Sequence, residues 1–244
     1  MQTEVEPLSD KIKELSHWRV NLRPGTYETQ LDKDPGVAFN LMEQASVRLG
    51  GWNYPYIGRE ANEQIREEKY IASGCDWGDI IEYWRLYYSS QFIHLFATWE
   101  RTDEKLMNHT LEWVLRSEDV SDLPGIINMS NILFILTKVF EFAARLCEKT
   151  LYKDNLEITV SLENVRNFVL TSDSSRFWHG HYPATANCIK KQWKLEIPEL
   201  LAKCNELSLE GIIYFYKQFG WDDPSIDVFR EQQNEFLSKT PRRG

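Results

Sequence analysis

The run from Ile126 to Lys149 constrains the fold of this chain more than any other stretch. It is apolar on most of its circumference through Leu136, the pattern of a helix buried by neighbours on several sides. Asn128, Ser130, Asn131, Lys138, Glu141 and Arg145 interrupt it too often for a membrane span. Pro124 and Gly125 punctuate its start, and the polar stretch from Lys149 to Asn155 ends it. No internal repeat, low-complexity segment or Gly/Ser linker divides the rest of the chain. The expected fold is therefore α+β over residues 1–244 as one domain, a mostly antiparallel sheet with a central buried helix and flanking helices.

The strands that would surround this helix are readable from period. Residues 8–16 have short helical spacing, with Leu8, Ile12 and Leu15 on one side. Trp18, Val20 and Leu22 then alternate with His17, Arg19, Asn21 and Arg23, as in a half-buried strand. A helix over about 34–47 carries Pro35 in its first turn, with Val37, Leu41, Met42 and Ala45 inward. Gly50-Gly51 closes it and opens an aromatic loop, Trp52-Asn53-Tyr54-Pro55-Tyr56. Ile65 to Trp77 fits a polar edge strand, because charges such as Arg66, Glu67, Glu68 and Lys69 discourage pairing with another chain. Further on, the pattern predicts a helix over 105–116, strands over 156–162 and 186–195, and helices over 198–219 and 225–238. In the second of those strands Ile189, Trp193 and Leu195 look inward and Lys190, Gln192 and Lys194 outward.

The strongest β signal is Ile80–Tyr88 and Gln91–Glu100, rich in aromatic and branched residues and flanking Ser89-Ser90. With Tyr88 opposite Gln91, Trp84, Leu86, Ile93 and Leu95 share an aliphatic face that suits the central helix. Tyr83, Arg85, Tyr87, Phe92, His94 and Phe96 then share the other face, a ring-lined platform with one cation and one imidazole. Arg85 can contact an anion or stack on a planar group, and the rings add flat apolar area. The candidate ligand-binding residues are thus Tyr83, Arg85, Tyr87, Phe92 and His94, with Trp52 and Tyr54 from the aromatic loop. A nucleotide, a peptide or a partner's loop fits this description, and a covering layer of helices is the competing reading.

Other chemistry is sparse. The net charge of −9 opposes a polyphosphate backbone, so general nucleic-acid binding is disfavoured without a local basic patch. Lys190, Lys191 and Lys194, or Lys239, Arg242 and Arg243 near the end of the chain, make only small clusters. The four cysteines form no CxxC pair, which suits reduced thiols and a cytoplasmic location. Met1 to Asp10 lacks the basic and apolar regions of a secretion signal, and nothing points to a membrane. His179 and His181 could present two imidazoles to one ion on an extended segment, but no third ligand is identifiable. Glu141 has Arg145 four residues on, the spacing of an intrahelical ion pair, while Glu82 and Glu100 lie near opposite ends of the hairpin. No P-loop, GxSxG or cysteine-nucleophile pattern occurs, so no catalytic residue and no cofactor is assigned.

Several segments together resemble an uncharacterised bacterial and archaeal domain with a Gly-Trp-x-Tyr-Pro loop. They are the Trp18 strand, Val47 to Pro55, Tyr83 to Phe92, Leu136 to Leu146 and the Phe219-Gly220-Trp221 close. The family pattern often has Arg-Gly-Trp and Ser-Gly-Gln-Phe where this chain has Gly50-Gly51-Trp52 and Ser89-Ser90-Gln91-Phe92. That domain occurs alone and beside Schlafen-type AlbA or other modules assigned to DNA binding, so the resemblance implies an accessory or sensing part of a prokaryotic regulatory or defence system. It supplies no catalytic residues. The function expected is a soluble, non-catalytic module that binds a small ligand or a protein partner. The alternative is a metal-assisted hydrolase of a phosphate-containing substrate, using His179, His181 and a carboxylate.

Overall fold

The structure, a computed structural model, describes residues 7–26, 31–60, 63–78, 80–98, 123–172 and 182–238. Its first half contains α1 (Leu8–Glu14), β1 (His17–Pro24), α2 (Pro35–Ala45), β2 (Val47–Leu49), β3 (Trp52–Tyr54), β4 (Gln64–Arg66), β5 (Tyr70–Asp76), β6 (Ile81–Tyr87) and β7 (Phe92–Ala97). The second half contains β8 (Ile126–Asn128), α3 (Met129–Glu148), β9 (Asn155–Glu163), β10 (Val169–Thr171), β11 (Tyr182–Pro183), β12 (Cys188–Glu196), α4 (Ile197–Gln218) and α5 (Ile226–Ser238). The fold is α+β, as expected. The helix predicted over 105–116 lies outside the described residues.

Seven strands form one antiparallel sheet in the order β12-β9-β1-β7-β6-β5-β4. A smaller sheet, β11-β10-β8, pairs β8 in parallel with β10. That pairing takes up Ile126 to Asn128, so the central helix begins three residues later than its apolar run. Asn128 caps it, its side chain accepting from the Ser130 N–H at 2.8 Å. Asp34 does the same for α2 through the Gly36 N–H at 2.7 Å, with Pro35 in the first turn. On α2, Ala38 and Phe39 take the inward places with Met42 and Ala45, and Val37 is exposed.

Helices α3 and α4 cover one face of the large sheet. Trp18, Val20 and Leu22 of β1 lie there with Val160 and Leu162 of β9 and Ile189 and Trp193 of β12, packed against Phe140, Phe142 and Phe215. The alternation expected for β1, β9 and β12 holds. On the opposite face the short α1 sets Leu8 and Ile12 over Ala72, Ile81, Tyr83 and Leu95, a second and smaller apolar cluster.

The hairpin differs from its expected register. Tyr87 donates its N–H to the Gln91 carbonyl at 2.8 Å and Ser90 donates to the Tyr87 carbonyl at 2.8 Å, while Ser90 takes a left-handed φ of 68°. The loop therefore holds three residues, Tyr88 to Ser90, with the last in the left-handed position of a bulge-type hairpin. Leu86 then pairs with Phe92, and Trp84 with His94. One residue of slip exchanges the faces of β7. Phe92, His94 and Phe96 join Trp84 and Leu86 on the helix side, whereas Ile93 and Leu95 join Tyr83, Arg85 and Tyr87 on the other.

A second correction concerns residues 65–77, which form two strands. Only β4 is an edge; β5 pairs on both sides, and Ile71 and Ala72 are buried on its opposite faces. The charged run Arg66 to Lys69 that suggested one edge strand spans the end of β4 and the turn between them.

The register makes opposite demands at neighbouring positions. Phe92→Lys would bury an unpaired ammonium and should cost more than ~4 kcal/mol, or abolish folding. Ile93→Lys, on the half-open face, should stay within ~1 kcal/mol of the parent. Urea midpoints of the two variants check this, and the reverse ranking would restore the two-residue turn.

Candidate functional site

The face that α3 and α4 leave free carries two adjoining cavities. The larger, about 500 Å³, runs from α1 across β6, β7 and β1, and falls in the ~300–1,000 Å³ range of ligand pockets. Tyr83, Tyr87, Ile93 and Leu95 supply its apolar and ring-bearing surface, and Lys13, Arg19, Arg85, His17 and Glu163 its ionisable groups. The smaller, about 240 Å³, is polar and continues over β1, β9 and β12 past Asn21, Thr159, Ser161 and Lys190. Arg19 and Glu163 line both.

Burial works against the charge on Arg85, but the Tyr83 and Tyr87 hydroxyls accept from it and shift its pKa upward on balance, so it stays a cation. Its Nε donates to the Tyr83 hydroxyl, and its guanidinium lies 4.7 Å from the Tyr70 ring centroid and 5.2 Å from that of Tyr83. Lys13 is held by Asp10 at 2.9 Å. Glu163 accepts from the Ser161 hydroxyl at 2.7 Å. His17 is buried, and its Nδ1 faces the Leu15 carbonyl at 2.9 Å. A carbonyl only accepts, so Nδ1 carries the proton and Nε2 of the neutral ring is an acceptor.

The seven candidate residues thus separate into two groups. Tyr83, Arg85 and Tyr87 line the larger cavity. Phe92 and His94 sit behind the sheet, both fully buried, where Trp52 and Tyr54 of the β2–β3 hairpin meet them. The turn of that hairpin is Gly50-Gly51, with φ of 69° and 86°, so the aromatic loop is a tight two-residue hairpin. It delivers Trp52 Nε1 to Glu82 Oε1 at 3.2 Å, and His94 Nε2 lies 2.8 Å from Glu82 Oε2. The Tyr54 ring packs 5.1 Å from His94, and Tyr54 Oη and His94 Nδ1 are buried with no hydrogen-bond partner among the described residues. Burial, then the Glu82 charge, pushes the Tyr54 phenol well up. Burial also lowers the pKa of Lys138, against the opposing pull of Glu82. Glu82, His94 and Tyr54 make a buried polar knot that suits support more than access, and Trp52 reaches it from a half-buried position beside Tyr56 and Trp77.

Glu141 and Arg145 pair as their spacing implies, Arg145 Nε donating at 3.1 Å, and Arg145 Nη1 also reaches the Ser46 carbonyl at 2.7 Å. His179, His181 and Glu100 lie outside the described residues. Among the described residues no group of three His, Cys, Asp or Glu side chains could hold a metal ion, and no helix is long and apolar enough to cross a membrane.

Sequence reasoning passed over His17, Arg19 and Glu163 as site residues. The outward side of β1 was readable from its alternation. What was missing was that β1 lies between β7 and β9, which brings that side next to Arg85 and Glu163. No family model matches the chain, and no curated protein and no solved structure matches it.

Burial depresses the pKa of His17 below its usual 6.5, with the Leu15 carbonyl and Glu163 opposing and Arg19 and Lys13 assisting. As pH falls through 6.5 the unfolded chain takes up the proton first, so this contribution to stability is lost from there down towards the folded value. His17→Gln should flatten the thermal-midpoint profile between about pH 7 and 5. Parallel profiles for parent and variant would show that His17 titrates alike in both states.

Proposed function

We propose that the chain is a non-catalytic binding module that takes a small anionic ligand with a planar part in the ring-lined cavity of the open sheet face. The observation that carries this reading is the excess of positive charge in that cavity within a chain of net charge −9. With Lys13 occupied by Asp10, Arg19 and Arg85 still outweigh Glu163. Among the described residues α1 covers Tyr83, while the Tyr87 ring beside Arg85 stays half-buried at the cavity. A cavity with convergent cations and aromatic area is a default binding site. The buried knot of Glu82, His94 and Tyr54, with half-buried Trp52 at its edge, stiffens the same hairpin from behind.

The resemblance to an accessory or sensing domain of bacteria and archaea agrees with this reading. It draws support from Ser90, whose left-handed φ of 68° is one that glycine, the residue in the family pattern, adopts at no steric cost. A cytoplasmic setting, in a regulatory or defence system, follows from the same reading.

Phenyl phosphate combines the two features the cavity would recognise and serves as a probe. By titration calorimetry it should bind the full chain more tightly than inorganic phosphate. Arg85→Ala and Tyr87→Ala should each weaken it by ~10-fold or more with the unfolding midpoint nearly unchanged. Binding unaffected in both variants, or loss of folding in both, would remove this cavity as the ligand site.

A further inference from the structure

The two cavities differ in chemistry, and that difference narrows the ligand. We infer that it is a ribonucleotide, lying with its base in the larger cavity, its sugar at the junction and its phosphate in the smaller one. This rests on the anion-binding reading above and adds the class of ligand.

The larger cavity offers a flat, partly apolar place at Tyr87 and Ile93, beside an Arg85 guanidinium that already lies over two tyrosine rings. A planar base extends such a stack, and arginine is suited to it by its own planarity. The smaller cavity has no ring. It offers the Thr159 hydroxyl, the Asn21 and Gln192 amides, and the cations Arg19 and Lys190, while the Ser161 hydroxyl is given to Glu163. Arg23 is there too, but its charge is taken by Glu157. A hydroxyl and two amides beside two uncommitted cations suit a phosphate, which takes several hydrogen bonds and two charges. Arg19 is exposed, and among the described residues no carboxylate pairs with it.

Glu163 fixes the polarity of the ligand. It lines both cavities, so whatever crosses the junction passes a carboxylate. A phosphate there is repelled, whereas neighbouring sugar hydroxyls donate to it, and a carboxylate has acceptor sites to spare beyond those used by Ser161 and Cys188. Ring, polyol and phosphate in that order describe a ribonucleotide. A nucleic-acid strand has the same parts, but its repeating charge meets the −9 field of the whole chain, while a mononucleotide meets only the local cations.

Calorimetric titration of the full chain tests this with the four ribonucleoside monophosphates, adenosine, ribose 5-phosphate, 2′-deoxyadenosine monophosphate, a single-stranded oligoadenylate and phenyl phosphate. At least one ribonucleotide should bind ~10-fold or more tightly than adenosine, ribose 5-phosphate or phenyl phosphate. Arg19→Ala, and the milder Arg19→Gln, should weaken it by ~10-fold or more with the unfolding midpoint unchanged. Glu163→Gln should erase the preference for ribose over deoxyribose. Ribonucleotides no tighter than phenyl phosphate would overturn the nucleotide assignment and leave the anion-binding reading intact. Binding of the oligoadenylate without any mononucleotide would assign the face to a nucleic-acid strand instead. Failure of every anion would end both readings.

Discussion

The left-handed turn at Ser90 decides what the two faces of the sheet are made of. A residue with a side chain costs about 1–2 kcal/mol in that conformation, and nothing local in Ser89-Ser90 demands it. The return comes from tertiary packing. With three residues in the loop, Phe92 enters the apolar layer beside Trp84 and Phe142, its ring 5.0 Å from that of Phe142. With two, Phe92 would face outward and Ile93 inward, so a large aromatic burial would be exchanged for a smaller aliphatic one. Every side chain from Phe92 to Ala97 follows the same choice, and the summed burial exceeds the strain of one residue.

The choice has a polar consequence. His94 is carried inward, and it is tolerated there because Glu82, on the same face of β6, lies opposite Phe96 and within reach of the imidazole. The carboxylate is itself buried and needs more than one partner, which the Gly50-Gly51 hairpin provides by holding Trp52 Nε1 over it. Removing either partner would strand a buried charge or dipole, and that costs several kcal/mol where the intact pair contributes little net stability. Glu82, His94, Trp52 and Tyr54 thus form one interdependent unit drawn from three strands. It ties the β2–β3 hairpin to the centre of the large sheet, directly behind the strands that bear Arg85 and Ile93.

Strand faces were readable wherever one side of a strand is apolar and the other polar. In β1, β9 and β12 the period of two carries the register, because a slip would expose Trp18, Val160 or Trp193. Lys191 is an exception that proves informative: it sits on the helix side of β12, lays its stem over the Trp193 and Tyr214 rings, and places its ammonium 2.5 Å from Glu210. In β6 and β7 both faces are rich in rings, so period alone cannot choose between registers. The turn would have to choose, and Ser-Ser favours no turn type. The charges of Arg66 to Lys69 were likewise ambiguous, since a tight turn between two strands and an exposed edge ask for the same residues.

Of the open-face cavity only the side formed by Tyr83, Arg85 and Tyr87 was legible, and the rest lay beyond sequence reasoning for a different reason. Its parts come from α1, β1, β6, β7 and β9, scattered along the chain from Ser9 to Asn164, and only the strand order makes them neighbours. Net charge pointed away from an anion site because it averages over the whole chain, whereas a bound ligand responds to the charges within about one Debye length, ~10 Å. Arg19 of β1 and Arg85 of β6 lie on the same face with only β7 between them, flanking Ile93 and Leu95, so they act on one small volume. The apolar floor between them lowers the local dielectric and strengthens both. A chain that is acidic overall can in this way present a cationic recess, provided that antiparallel pairing brings its few outward arginines together on one side of a sheet.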